Sequence, residues 1–280
     1  MAATDFTVRF WGVRGRIACP GPDTMRYGGN TSCIEVWCGD RLMIFDGGTG
    51  LRPLGNNLVT LRRALDFDLF FTHTHIDHCG GLPFFAPAYN PKNVLRIWAG
   101  HLKPQRTIKE VLAMMMTPPL FPVPIDILAA QITFADFSAG EILKPHSHSG
   151  IKLVTRPLNH PNEATGYRLE FGGKSFAYIT DTEHREGELD PNVLQLMDGV
   201  DVAVYDSTYT DDEYPAHKNW GHSSWEEGIR LATKANAKQL VLFHHDPDHT
   251  DGMMDRIAAD AAKMRPGTIV AHEGLTLHIS

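Results

Sequence analysis

At 280 residues the chain is long enough for one large domain or two small ones, and either buries a stable core. Its 42% hydrophobic and 21% charged residues are those of a globular protein, and no apolar run approaches the roughly 18 residues of a membrane span. The formal charge of −7 argues against a grip on long nucleic acid, which is usually neutralised by a basic surface, and so favours a small substrate.

The opening stretch MAATDFTVRF has no basic region followed by an apolar one, which predicts a cytoplasmic protein without a secretion signal. Four cysteines, Cys19, Cys33, Cys38 and Cys79, form no C-x-x-C pair and fit a reducing compartment. The unusual count is histidine, with 15 residues, several of them just after strand-like stretches.

In chain order, residues 6–11, 33–38 and 41–46 read as strands, the third ending at Asp46 before Gly47-Gly48. Between the first two lies GVRGRIACPGPDTMRYGGNTS, a Gly- and Pro-rich excursion suited to border an active site. Leu51–Leu65 reads as a helix broken early by Pro53. A buried strand at Leu69–Thr72 then runs into His73-Thr74-His75-Ile76-Asp77-His78, with a helix expected to start near Gly80 and Gly81. The segment 87–125 is rich in proline and methionine, holds a strand (Val94–Ala99) and a short helix (Ile108–Met116), and reads as a lid-like insertion. Further strands are expected at 131–134, 151–155, 166–171, 175–180, 201–205 and 239–243, with a helix at Ser224–Lys234 and closing strands at 268–271 and 275–279. Strand groups at both ends, helices outside them and metal-type residues at strand ends predict an α/β (α+β) four-layer αββα sandwich, as a single domain over residues 1–280.

The chemistry concentrates in H-x-H-x-D-H. Two histidines one residue apart can turn both imidazoles toward one ion, while Asp77 and His78 face a second. A solvated His-rich loop is the plain alternative. The apolar strand before the run, the glycines after it and a chance occurrence of about 0.003 for independent residues weigh against that alternative. Such a run leaves a two-metal site incomplete, and His160, Asp181 and His244-His245 each stand at a comparable strand end. Taken singly, each would more often be a surface or capping residue.

In order and spacing, Asp46 in FDGGTG, the run at 73–78, LNH ending at His160, TDT containing Asp181, GHSS containing His222 and LVLFHH at 240–245 resemble the metallo-β-lactamase superfamily. The likeness is to its phosphodiesterase branch, which includes RNase Z and the cyclic-phosphate and cyclic-nucleotide phosphodiesterases. It covers nearly the whole chain and implies that fold.

The resemblance implies that His73, His75 and His160 hold a first metal, that Asp77, His78 and one of His244 and His245 hold a second, and that Asp181 bridges them. The L-x-L-x-H pattern favours His244, with His245 as an outer neighbour or alternative ligand. Asp46 would order the ligand loop by hydrogen bonds. His222 would be a general acid or phosphate ligand, although Ser223 or Ser224 followed by Glu226 and Glu227 also reads as an ordinary helix start. Asp206, in YDST, would orient His222. The implied cofactors are two divalent ions, zinc first because no thiolate is offered, with manganese or iron also accommodated. They would acidify a bridging water into the attacking hydroxide, which Asp77 helps orient, making Asp77 and His222 the catalytic pair.

Cys79 reads as a small buried residue, and Met114, Met115, Met116 and Phe121 as core or dimer contacts. His101, His146, His148, His217 and His272 match no family position. The expected reaction is hydrolysis of a small cyclic phosphate or cyclic nucleotide, with no membrane partner, and a homodimer is implied by the resemblance. The alternatives are an RNase Z-like tRNA 3′-endonuclease and a lactone or thioester hydrolase. Against RNase Z, the Asp181–His222 interval is short and acidic and has no basic, glycine-containing arm.

Overall fold

The computed structural model describes residues 5–145 and 150–280, so His146 and His148 lie outside the described residues. The first sheet contains β1 (Phe6–Gly12), β2 (Cys33–Cys38), β3 (Arg41–Phe45), β4 (Asp66–Phe71), β5 (Val94–Ala99), β6 (Gln131–Asp136) and β14 (Thr276–His278), in the order β14-β1-β2-β3-β4-β5-β6. The second contains β7 (Ile142–Leu143), β8 (Lys152–Leu158), β9 (Ala164–Phe171), β10 (Lys174–Ile179), β11 (Val202–Asp206), β12 (Gln239–Phe243) and β13 (Ile269–Val270), in the order β13-β12-β11-β10-β9-β8-β7. Both sheets are mixed. The strands from β3 to β6 run parallel, as do those from β10 to β13.

Alternation along each strand decides which face packs where. Met43 and Phe45 of β3, Val202 and Val204 of β11, and Val241 and Phe243 of β12 point between the sheets. Leu42 and Ile44, Ala203 and Tyr205, and Leu240 and Leu242 point outward under helices. Parallel strands covered on both faces must be apolar throughout, which is why β11 and β12 read as continuous hydrophobic runs. Phe45 is the hub of the inter-sheet layer, with ring centroids 5.4 Å from Phe70, 5.4 Å from Tyr167 and 5.9 Å from Tyr178. The αββα layering is thus the expected one.

Among the described residues six α-helices complete the layers: α1 (Leu51–Val59), α2 (Ile76–Cys79), α3 (Ile108–Met115), α4 (Pro191–Met197), α5 (Trp225–Lys234) and α6 (Asp251–Met264). Helix α1 stops six residues short of the sequence reading, because its buried stripe Leu51, Leu54, Leu58 ends there and residues 60–64 are exposed. Pro53 does not break it. In the first turn a helix needs no N–H from that residue. The helix expected to begin at Gly80 is α2, and it ends there.

The segment 87–125 contributes a strand and a helix to the first sheet and its core. Strand β5 sits between β4 and β6, and Ile108 and Leu112 of α3 are buried against the same sheet. Cys79 and Met116 are buried, Met115 packs on that core, and Met114 is exposed. Among the described residues no helix is long and apolar enough to cross a membrane.

Replacing Phe45 with Ala empties the centre of the inter-sheet layer. Equilibrium urea unfolding should register a loss of about 3–5 kcal/mol, and Phe45→Leu should lose clearly less.

Candidate metal centre

The strands deliver the site residues to one edge of the sandwich. Asp46 follows β3, Thr72 and His73 follow β4, His160 follows β8, Asp181 follows β10, Asp206 ends β11 and His244 follows β12. Both sheets therefore contribute, as expected where ligand sites collect at the carboxyl ends of parallel strands. Asp46, Asp181 and His244 take positive φ of 61°, 58° and 62°, a strained conformation for a side-chain-bearing residue that costs roughly 1–3 kcal/mol each. Gly15 approaches the centre so closely that an added Cβ would fall 2.4 Å from the His244 ring. Gly221, at φ +85°, would collide with His160 in the same way.

Two donor groups form around Asp181. Its Oδ1 lies 3.7 Å from Nε2 of both His73 and His160. Its Oδ2 lies 3.1 Å from His78 Nε2 and 3.3 Å from His244 Nε2. His75 joins the first group through Nδ1, 3.1 Å from His160 Nε2. Asp77 joins the second, with Oδ2 3.4 Å from His78 Nε2 and 3.5 Å from His244 Nε2. The potential ligand atoms of His73, His75 and His160, and separately of Asp77, His78, Asp181 and His244, lie within 4.8 Å of one another.

Outer contacts fix which ring nitrogen faces inward. His78 Nδ1 donates to Asp46 Oδ2 at 2.8 Å, and His160 Nδ1 donates to the Gly221 carbonyl at 2.8 Å. The Thr72 hydroxyl donates to Asp46 and accepts from His73 Nδ1 at 3.1 Å. Thr208 repeats the device, donating to Asp206 at 2.7 Å and accepting from His244 Nδ1 at 3.0 Å. In all four residues Nε2 is left for the centre, the arrangement that orients metal-binding imidazoles.

These residues fit divalent cations. His73 Nε2 is buried without a hydrogen-bond partner. The Nε2 atoms of His78 and His244 face each other at 3.3 Å, and two lone pairs at that distance repel unless a positive charge intervenes. Burial lowers the pKa of His73, His75 and His160, which favours the neutral imidazole that binds metal. Burial alone would raise the pKa of Asp181, but His244, His78 and His73 hold it well below the usual carboxylate range. Burial works against a charge on His78, yet Asp181, Asp77 and Asp46 push its pKa well up. That balance marks a place where three buried carboxylates call for positive charge. Nitrogen and oxygen donors without thiolate suit zinc and its borderline neighbours.

His222 sits against this centre, its ring 5.3 Å from His160 and 4.9 Å from His244. Its Nδ1 donates to Asp206 Oδ2 at 3.0 Å, the pairing expected for Asp206. Burial opposes protonation of His222, but Asp206, Asp181 and Asp77 prevail and its pKa is raised. The helix-cap reading also holds, because the Ser224 side chain accepts from Glu227 N at the start of α5. His245 is turned away: Nε2 donates to the Ala271 carbonyl at 2.8 Å and the ring meets Tyr27 edge-on. The geometry thus brings His244, rather than His245, into the donor cluster.

Several supporting residues had no place in the sequence reading. Besides Thr72 and Thr208, Tyr178 donates to Asp46 at 2.8 Å, and Glu183 accepts from the backbone N of both Asn219 and Gly221 at 2.8 Å. His101 is buried beside His73, bonded to Thr74 Oγ1, with its pKa lowered to about 4 by burial and by His75. For Thr72 the visible signal was a polar residue closing a buried apolar strand. His217 stacks on Tyr209, and His272 Nδ1 bonds the Glu273 carbonyl.

Residues 43–245 match the family model described as "Beta-lactamase superfamily domain", and the chain belongs to the metallo-β-lactamase superfamily. It is a metal-dependent hydrolase. The chain is 21% identical to ribonuclease Z of Porphyromonas gingivalis over 86% of its own length and 90% of the relative's. A shorter match to ribonuclease Z of Parabacteroides distasonis is 29% identical and spans 38% of this chain and 33% of that one. The fold is similar to the metallo-β-lactamase fold protein YhfI of Bacillus subtilis, with TM-score 0.73, 16% identity, and 98% and 99% of the two chains covered. It is also similar to a diphosphatase of the PhnP family, with TM-score 0.70, 18% identity, and 99% and 98% covered.

Asp46 is buried and its carboxylate accepts from four donor groups, so Asp46→Ala leaves His78 and Tyr178 without their acceptor. Chemical denaturation of the metal-free protein should show a loss of about 3–5 kcal/mol, with a smaller loss for Asp46→Asn.

Proposed function

We propose that the protein is a binuclear phosphodiesterase acting on a small cyclic phosphate or cyclic nucleotide. The observation that carries this reading is the division of Asp181, whose Oδ1 faces His73 and His160 while Oδ2 faces His78 and His244. His73, His75 and His160 would hold one ion, Asp77, His78 and His244 the other, and Asp181 would bridge them. Two divalent ions, zinc first, would acidify a water and neutralise charge on the phosphoryl oxygens.

The chain's own groups supply the rest. Asp77 Oδ2 accepts a hydrogen bond from the Arg16 backbone N at 2.7 Å, which fixes the carboxylate where it can orient the attacking water. Asp206 engages Nδ1 of His222, so Nε2 is the nitrogen free to meet substrate. Its raised pKa keeps a proton available. As the ester P–O bond breaks, that proton passes from Nε2 to the leaving alkoxide oxygen, as general acid catalysis requires. The ribonuclease and diphosphatase names of the relatives both denote cleavage of P–O bonds. They support phosphate chemistry over a lactone or thioester.

The −7 charge, and the acidic stretch from Glu183 to Glu213 beside the centre, support a small substrate over an extended RNA. A tRNA 3′-endonuclease is the second reading, favoured by the full-length likeness to ribonuclease Z. Cleavage of precursor tRNA after the discriminator base, weighed against hydrolysis of a cyclic-nucleotide panel across a salt titration, separates the two. Activity on the tRNA alone would sink the preferred reading.

Metal-reconstituted protein should bind two equivalents by elemental analysis, and Asp181→Ala should lower that number and abolish turnover. Replacement of His222 by Ala should cost roughly 10²–10⁴-fold on a 2′,3′-cyclic nucleotide, whose alkoxide leaving group needs a proton. The cost should be much smaller on bis(p-nitrophenyl) phosphate, whose phenolate does not. Equal losses on both substrates would count against His222 as the acid.

A further inference from the structure

The Gly- and Pro-rich excursion after β1 reaches the centre at Arg16, which takes φ +61° and gives its backbone N to Asp77. Its side chain is 28% exposed, with Nη2 on Asp246 Oδ2 at 2.7 Å. The guanidinium carbon lies 6.0 Å from the ring centroid of Trp220, two residues before His222. Trp220 is 52% exposed, an unusual state for an indole beside a catalytic edge.

Trp220 is braced from behind. His217 meets it edge-on at 5.1 Å and stacks on Tyr209 at 4.3 Å and 14°, and Tyr209 in turn lies 6.2 Å from His222. Two polar groups in this cluster have no hydrogen-bond partner although both are buried, Arg16 Nε and the Tyr209 hydroxyl. After burial, Arg16 is the strongest electrostatic influence on Tyr209. Asp246 is already engaged, through Arg16 Nη2 and the backbone N of Asp248 at 2.8 Å. The cluster thus combines a cation, two unpaired donors and an exposed aromatic face at the rim of the metal centre.

We infer that Arg16 and Trp220 form a nucleotide clamp, in which Trp220 stacks the base of a mononucleotide and Arg16, with Tyr209 beside it, holds a phosphate oxygen. The inference rests on the phosphodiesterase reading for the phosphate's place at the metals, and it adds that the substrate carries a nucleobase. Aromatic faces stack bases without regard to sequence. Arginine couples such a face to an anion because its planar cation packs on the ring and still donates hydrogen bonds.

The test is isothermal titration of the zinc-loaded protein with AMP and with ribose 5-phosphate, which share the phosphate and differ in the base. Wild type should bind AMP about tenfold tighter. Trp220→Ala should bring the two dissociation constants together, and Trp220→Phe should keep most of the preference and control for folding. Arg16→Ala should weaken both ligands about tenfold, with Arg16→Lys in between. Equal binding of the two ligands by wild type, or a preference that survives Trp220→Ala, overturns the clamp. So does unchanged affinity in both Arg16 variants. A short oligoribonucleotide that binds more than tenfold tighter than AMP would overturn the mononucleotide assignment in favour of an RNA strand. If AMP binds as expected but no phosphodiester is cleaved, the clamp stands and the proposed reaction falls.

Discussion

A buried carboxylate with no bulk water to solvate it must be bonded on every side, and Asp46 meets that demand from both halves of the molecule. It accepts from the Thr72 backbone and hydroxyl at the end of β4, from His78 in α2 and from Tyr178 in the second sheet. Desolvating such an ion costs several kcal/mol unless these partners are in place. The order of the H-x-H-x-D-H turn and the alignment of the sheets are therefore coupled through one side chain. The fold cannot lose that contact and keep the geometry of the centre.

The second sheet repeats the arrangement. Asp46–Thr72–His73 and Asp206–Thr208–His244 are each a carboxylate, a threonine hydroxyl and an imidazole at the end of parallel strands. In each, the hydroxyl gives its proton to the carboxylate and so has only a lone pair to offer the ring, which sets the tautomer. Because the two devices come from opposite sheets, the inter-sheet core around Phe45 and Tyr178 fixes the distance between the donor groups. Strain at the positive-φ residues is borne where the surroundings over-determine the backbone. That is the physical link between an apolar sandwich and a polar edge precise enough to hold ions.

Much of this was legible because the informative residues obey local rules. A six-residue run with four potential ligands, and lone His or Asp residues closing apolar strands, carry their chemistry in the sequence itself. Helix α6 did not announce itself: its buried stripe is only Met254, Ile257 and Ala261 among charged residues, although Thr250 caps it in the ordinary way. Strand β5 and the helix after it were legible as elements, but the prolines around them gave the segment the look of an insertion, and the pairing of β5 between β4 and β6 joins residues too far apart in sequence to leave a local sign. The choice between His244 and His245 could not be made locally, since adjacent residues at a strand end point to opposite sides and only the partners, Thr208 for one and Ala271 for the other, tell them apart. Tyr178 and Glu183 act across long sequence separations and leave no local pattern at all.

On the proposed reading a chain of net charge −7 must admit an anion. Surface charges are screened within about 8–10 Å at physiological ionic strength, so only the groups at the edge matter to a bound phosphate. There the carboxylates of Asp77, Asp181 and Asp206 are matched by imidazoles, and divalent ions between the donor groups would leave the pocket positive while the exterior stays acidic. Arg16 extends that positive ground outward along Trp220, on the same loop whose backbone steadies Asp77. On the proposed reading the acidic exterior would work with this arrangement, repelling long polyanions whose charges reach past the screening length and leaving a small phosphate to the local field of the centre.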